Sequence, residues 1–355
     1  MDKKDRSRYA YHYKGSFHIH SDYSDGTGTF KEIAISAKKA GLDFVIVTDH
    51  RTLQPLRDGL SGYIDNVLVL VGYEISDEND KNHLIALGLK KEVHRNISPL
   101  EYVKEVSDND GLGIIAHPYD RGTNIPQFKS HEWNQWDTQE FKGIEIWNYM
   151  MQWLNGLSHA NKLFRFLFPN LRVSRPSGEA VSLWDELNQK RKIFGIFAID
   201  NHSFTIRFMN KERKIFPYIN LFNTLRIHVL LSEPLSQDGR AAQEQVIKAI
   251  QEHRFYNSDF RHGYANGFEF NLMRPKSNGS EYLPVGSTVI FSEDCYIQVR
   301  APKKSGIRIY KDSKLLKSYL FSRVASYRVQ SPGTYRVECH RYGHIWIMSN
   351  NIYIR

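Results

Sequence analysis

Six short apolar runs, each stopping at or beside a polar or metal-competent residue, constrain this chain more than any other feature. They are SFHIH (16–20), DFVIVTDH (43–50), VLVLVGYE (67–74), GIIAHP (113–118), GIEIWN (143–148) and IFGIFAIDNH (193–202). Val, Ile, Leu and Phe in unbroken runs suit strands buried on both faces, as in parallel sheets covered by helices. The intervening segments supply the helices. TFKEIAISAKKAGL opens on a capping box, Thr29 with Glu32, keeps an apolar stripe through Phe30, Ile33, Ala34 and Ala37, and stops at Gly41. SPLEYVKEVSDNDG repeats the device with Ser98, Pro99, Glu101 and Gly111. Strands alternating with such helices predict an α/β fold with parallel strands, and a closed barrel would gather the polar strand ends around one mouth.

HLIALGL (83–89) begins with its histidine instead of ending on one. Only residues 75–82 separate it from Glu74, too few for a helical crossover, so a hairpin is expected that returns His83 to the place where Glu74 ended. After His202 the texture changes. A helix is expected over 238–253, and from about 275 onward short strands separated by Gly, Pro, Ser and Asp predict a small β-sandwich. The domain reading is a barrel over 1–270 with a lid insertion at about 120–190, a linker over 270–282, and the β-sandwich over 275–355.

Collected at the ends of the runs are His18, His20, Asp25, His50, Glu74, His83, His117, Asp200 and His202. Residues two apart in an extended strand share a face, which pairs His18 with His20 and Asp200 with His202. Nine nitrogen and oxygen donors exceed one tetrahedral site and suit two or three divalent ions bridged by carboxylates, with Zn, Mn or Fe favoured over Ca or Mg. Arg51, just past His50, and Arg121, four residues past His117, are candidate clamps for a phosphate. Asp49 and Glu145 are candidates to orient ligands. The remaining histidines, His131 among them, sit in no motif and read as structural or exposed. Trp147 and Trp153 read as packing residues before they read as a base-stacking platform.

Composition limits the alternatives. Two cysteines, Cys295 and Cys339, exclude a disulfide framework and a cysteine-rich zinc site. No apolar stretch approaches the length of a membrane span, so a cytoplasmic protein without a membrane partner is expected. The formal charge of +9 favours anionic ligands and leaves nucleic acid possible without requiring it. The sequence holds no Gly-x-Ser-x-Gly nucleophile elbow and no P-loop, which agrees with attack by metal-activated water.

Taken together, HIHSDYSDG, VTDH, GYEIS, the histidine opening HLIALGL, IIAHP and IDNH resemble the polymerase and histidinol phosphatase (PHP) family of metal-dependent phosphoesterases, in order from residue 14 to about 205. The resemblance implies a distorted seven-stranded β/α, TIM-like barrel with a three-metal centre. By position it implies that His18, His20, Glu74 and Asp200 hold one ion. Glu74 would bridge to a second ion held with His83 and His117, and Asp25, His50 and His202 would hold a third. Asp25 stands where many members have histidine. The implied activity is hydrolysis of a phosphorylated small molecule, nucleotide or oligonucleotide. Two other readings compete: an amidohydrolase-like metal hydrolase, which would need a bridging modified lysine on a later strand, and a nucleic-acid-associated protein using the barrel as a scaffold.

Overall fold

The computed structural model describes residues 11–355 apart from 124, 126, 127, 172, 209, 210 and 278. The apolar runs lie where unbroken hydrophobicity places them: every residue of the strands Phe44–Val47, Val67–Val71, Leu112–Ile115, Gly143–Asn148 and Phe194–Ala198 is buried. Alternate side chains serve two cores. Phe44, Ile46, Leu68 and Leu70 pack with Ile85, Ile114, Phe194 and Ile196 in the interior between two sheets. Val45, Val47, Val67 and Val69 join Ile33, Ala34 and Ala37 of the helix Phe30–Lys39. That helix and Pro99–Asp108 both carry the expected capping boxes, with Thr29 and Ser98 accepting from the backbone N–H of Glu32 and Glu101.

In the larger sheet Tyr11–Phe17 runs parallel to Phe44–Val47, which runs parallel to Val67–Val71; on its other side Tyr11–Phe17 pairs antiparallel with Leu225–Leu231, and that strand with Phe255–Asp259. The second sheet holds five strands in the order Tyr73–Ile75, Leu84–Leu87, Leu112–Ile115, Gly143–Asn148 and Phe194–Ala198. Its first three are antiparallel, so the expected hairpin is present, with Glu74 opposite Ile85.

Among the described residues the strand ladders form two sheets about a shared interior, a mixed α/β arrangement; no single ladder runs round the whole of the expected seven-stranded barrel. The reason is local. The first strand ends at Phe17 because His18 takes a φ of 68°, and the strand Phe194–Ala198 is followed by Asp200 at a φ of 52°. Left-handed residues interrupt an extended ladder. The sheets are instead stitched at one end, by parallel bridges Ile19–Asn201 and His50–Glu74 and by backbone bonds such as His20 N–H to Asn201 O at 3.0 Å and Arg51 N–H to Glu74 O at 2.8 Å. Every one of the nine ligand candidates stands at or near this stitched rim.

The C-terminal region differs from its expected form. Residues 270–282 are no linker: Glu269–Lys276 and Gly279–Pro284 are paired strands. Pro275 escapes the usual exclusion of proline from sheets because Glu269–Lys276 pairs with its second neighbour, Tyr296–Lys311, only over Glu269–Met273. The β region has its own core around Leu272, Ile297, Ile309, Val337 and Trp346, with buried unbridged Cys295 and Cys339. Yet its strand His344–Ser349 pairs with Phe255–Asp259, so hydrogen bonding runs unbroken from the first half into the second. The range 120–190 is likewise not a single insertion, since it contains the buried sheet strand Gly143–Asn148.

Candidate metal centre

The double turn around Ile19 and Asn201 explains how His18, His20, Asp200 and His202 meet. Ile19 packs in the core with Val45 and Val47, Asn201 is buried with its Oδ1 accepting from the Ser203 backbone N–H, and the flanking residues on each side meet at the rim. Glu74 lies at the centre. Its Oε2 is 3.0 Å from His18 Nε2, 3.3 Å from His20 Nε2 and 3.4 Å from His50 Nδ1; its Oε1 is 2.7 Å from His83 Nδ1 and 3.2 Å from His117 Nε2. Asp200 Oδ1 is 3.4 Å from both His18 Nε2 and His20 Nε2. Asp25 faces His202 at 3.3 Å, His20 at 3.6 Å and His50 at 3.7 Å. All nine candidates thus converge, including His18, which the strand reading had placed in extended backbone.

Behind these groups stands a layer of carboxylates and amides. Glu145 accepts from His18 Nδ1–H at 2.6 Å, from the His117 backbone N–H at 2.8 Å and from Asn148 Nδ2 at 2.8 Å. Asn148 also donates to Asp200 Oδ2 at 3.1 Å, and its own oxygen caps the helix Tyr149–Leu154. A carboxylate on the far nitrogen of an imidazole fixes the tautomer that leaves the near nitrogen free to ligate. Asp49 acts elsewhere: it accepts from Ser21 N–H, Ser21 Oγ and Ser24 Oγ, fixing the loop that presents Asp25.

Electrostatics follow from this packing. Burial alone would lower the His20 and His83 pKa values, but Glu74, with Asp200 beside His20 and Asp80 beside His83, outweighs it and lifts them to about 9 and about 10. Burial would raise Glu74 and Asp200, yet the surrounding histidines hold both well below the carboxylate range. For half-buried His50 the loss of solvation outweighs the pull of Glu74 and Asp25, and its pKa falls to about 3.

The residues fit a metal on one further observation. His20 Nδ1, His20 Nε2, His83 Nε2 and His117 Nδ1 are buried with no hydrogen-bond partner among the described residues. Buried polar atoms are rarely left so, and a cluster of them beside carboxylates suits cation ligation. Ligand atoms within 4.8 Å of one another group as His20, Asp25, His50 and His202; as His18, His20 and Glu74; and as His50, Glu74 and His83.

The two arginines part company. Arg51 lines the cleft of about 620 Å³ over the cluster, held by Ser76 Oγ, the Asp77 carbonyl and Asp80. Arg121 does not reach this cleft; it lines a neighbouring recess behind His117 and pairs with Glu179 at 2.5 Å. Residues that no motif announced also line the cleft: Asp80, Asp120, Lys129 and His131. His131 is therefore not the bystander its surroundings in sequence suggested. The one available signal was Asp80, three residues before His83 in the hairpin turn. Trp147 and Trp153 are buried and pack against Phe197 and Phe216.

Such a rim of imidazoles and carboxylates at one end of an α/β protein belongs to the class of metal-dependent proteins, and comparison gives the family. The PHP domain pattern matches residues 16–139. An uncharacterized protein of Methanocaldococcus jannaschii is 31% identical over 122 residues, covering 30% of this chain and 68% of the relative. The chain belongs to the PHP family. Among solved structures, a two-domain protein containing a predicted PHP-like metal-dependent phosphoesterase from Bacteroides vulgatus aligns over 96% of this chain and 95% of its own, at 13% identity and a TM-score of 0.42. A putative metal-dependent phosphoesterase from Bifidobacterium adolescentis aligns over 53% of this chain and 87% of its own, at 16% identity and a TM-score of 0.32. No helix among the described residues is long and apolar enough to cross a membrane.

Proposed function

We propose that the protein hydrolyses a phosphate ester at a centre holding three divalent ions, Zn, Mn or Fe. The observation that carries this reading is Glu74, whose two oxygens face five imidazoles from four segments of the chain, four unpartnered imidazole nitrogens lying in the same cluster. The ions, when bound, lower the pKa of water to about 7 and offset charge on phosphoryl oxygens. The chain's own residues do the rest. In this reading Glu74 joins two ligand groups, His18, His20 and Asp200 on one side and His83 and His117 on the other, while Asp25, His50 and His202 would form the third.

Arg51 and Lys129 line the same cleft and supply positive charge where an anionic substrate enters; Arg121 is left out, committed to Glu179. The opposite wall is apolar, with Phe128, Met150, Met151, Leu154 and Phe204, the last stacked on His202 at 4.8 Å between centroids. A charged floor beside an apolar wall favours an ester whose alcohol carries an apolar or aromatic body, a nucleotide or short oligonucleotide end among them. Glu74 is available to do the bridging that a modified lysine does in an amidohydrolase-like site, which supports phosphoester chemistry over that rival. The setting we propose is the cytoplasm.

The test is elemental analysis of purified protein together with turnover of p-nitrophenyl phosphate, bis-p-nitrophenyl phosphate, nucleotides and oligonucleotides, with His18→Ala and Asp200→Ala as controls. Three ions per chain and metal-dependent release of phosphate or of the leaving alcohol, lost in both variants, is the expected result. Protein loaded with divalent metal that turns over no phosphoester in the panel would overturn it.

A further inference from the structure

The positive charge of the chain is not spread over its surface. The paired strands Tyr296–Lys311 and Lys314–Arg328, with the turn between them, contain nine Lys and Arg and a single Asp, so that +8 of the total +9 falls within residues 296–328. Arg300, Lys311 and Arg328 face Glu269, Asp312 and Asp294. Lys303, Lys304, Arg308, Lys314, Lys317 and Arg323 are exposed and have no carboxylate partner among the described residues.

The second of these strands is also an edge. Among the described residues Lys314–Arg328 pairs only with Tyr296–Lys311. Lysine along a sheet edge discourages the addition of another strand, which explains some of the cations and argues against a peptide pairing there. It does not explain the side chains between them. Leu320 and Phe321 fall between Tyr319, opposite Ile307, and Ser322, opposite Ser305, so two residues face Gly306 alone in a bulge. Phe321 takes a φ of 50° there, an unfavourable conformation for a bulky side chain that persists only where the surroundings impose it. Leu320 is thereby 89% exposed and Phe321 73%, with Leu315 and Val324 also exposed on the same strand. Lys304 Nζ stands 5.1 Å from the centroid of the Phe321 ring.

We propose that this hairpin docks on a membrane leaflet containing anionic lipid, with Leu320 and Phe321 entering the headgroup boundary and the cations around them meeting lipid phosphates. Cations bracketing an exposed apolar pair have the composition of an interfacial contact, and each Lys or Arg near an anionic leaflet adds attraction. Nucleic acid, the other common polyanion, is served less well. Base stacking needs open aromatic faces, whereas three of the four exposed apolar side chains are aliphatic and Lys304 stands over the one ring. A second copy docked face to face would oppose two surfaces of the same sign. The lack of a spanning helix among the described residues bears on crossing a bilayer, not on resting against one, so the expectation of no membrane partner narrows to no span. The contact is independent of how the metal cluster is read.

The experiment is co-sedimentation of the full chain with vesicles of phosphatidylcholine alone or mixed with phosphatidylserine, over a range of salt. Wild type is compared with Leu320→Ala/Phe321→Ala and with Lys317→Ala/Arg323→Ala, each checked by circular dichroism. Lys190→Ala/Arg240→Ala removes two exposed cations elsewhere and controls for total charge. Binding to the mixed vesicles alone, weakened by salt, is expected of wild type. Losing Lys317 and Arg323 should weaken it by about fivefold per cation, and losing Leu320 and Phe321 by about tenfold or more at every salt concentration, with the control close to wild type. Wild type that ignores the mixed vesicles overturns the proposal. So does an equal loss in the control, which assigns the attraction to net charge, or undiminished binding by Leu320→Ala/Phe321→Ala, which leaves no insertion. Tighter binding to a single-stranded oligonucleotide, lost in both hairpin variants, would make nucleic acid the partner, and self-association abolished by Leu320→Ala/Phe321→Ala would make it a second copy; either result overturns membrane docking.

Discussion

Buried charge is handled in opposite ways at the two ends of the chain. In the C-terminal region Arg336 places Nε and Nη2 on Asp185, both at 2.8 Å, and Nη1 on Glu338 at 2.6 Å, while Glu338 also faces His340 at 2.9 Å and Tyr310 at 3.2 Å. Each of these charges finds its counterpart within the protein, and the network pins the helix Gly178–Lys190 to the strand Gly333–Arg341. At the rim, by contrast, six imidazoles share the carboxylates Asp25, Glu74 and Asp200, and four imidazole nitrogens have no partner among the described residues. Charge that holds a fold together is matched internally; charge left unmatched in an otherwise close-packed interior marks a place for something from outside.

The comparison is broken most severely by Glu74→Gln. Removing the shared carboxylate is expected to cost phosphoester turnover more than the ~10–100-fold typical of an outer-layer change, with the far-UV spectrum retained; a variant with near wild-type kcat/KM would contradict the role given to Glu74. Asp185→Ala should do the reverse. It leaves Arg336 buried without its main partner and is expected to lower unfolding free energy by about 3–5 kcal/mol, read by denaturant titration, with bound metal per folded chain unchanged. Glu145→Gln, which touches His18 but lies behind it, should reduce metal affinity or activity by about 10–100-fold, measured as a shift in the metal dependence of turnover. Arg121→Ala comes last: an exposed pair with Glu179 contributes about 0–1 kcal/mol, and neither activity nor melting temperature should move appreciably.

pH sharpens the same contrast. His20 and His83 hold protons up to about 9 and about 10, so cations entering at neutral pH displace protons, and apparent affinity rises with pH through that range. Calorimetry in buffers of different ionisation enthalpy should detect the released protons; buffer-independent heats would exclude the exchange. Glu338 behaves the other way. Although burial opposes ionisation, His340 and Arg336 depress its pKa from 4.5 to about 2. Its contribution to stability is therefore complete above about 4.5 and is lost as pH falls through 2, which acid titration of wild type against Glu338→Gln would reveal as converging stabilities.

What could be read in advance was what is local. Capping boxes, unbroken apolar runs and strand-end histidines are encoded within a few residues, and even His83 followed from the shortness of 75–82. Asp80, Asp120 and His131 were not legible, because they reach the cleft by the packing of irregular segments that carry no periodic signal. The break in the ladders was not legible because nothing in SFHIH or AIDNH announces that His18 and Asp200 adopt left-handed backbone. The supposed linker failed because Pro275 and the Asn and Gly residues beside it resemble a breaker, and the partial pairing that tolerates proline depends on strands synthesised later.

The bridge between Ile19 and Asn201 has a consequence for how the protein is born. His18 and His20 leave the ribosome among the first residues of this sequence, but the partners that complete their ligand group, Asp200 and His202, follow some 180 positions later. A nascent chain arrested before residue 202 therefore exposes its histidines without Asp200 and His202 beside them. If the proposed centre binds metal, its loading belongs to the time after that strand has docked.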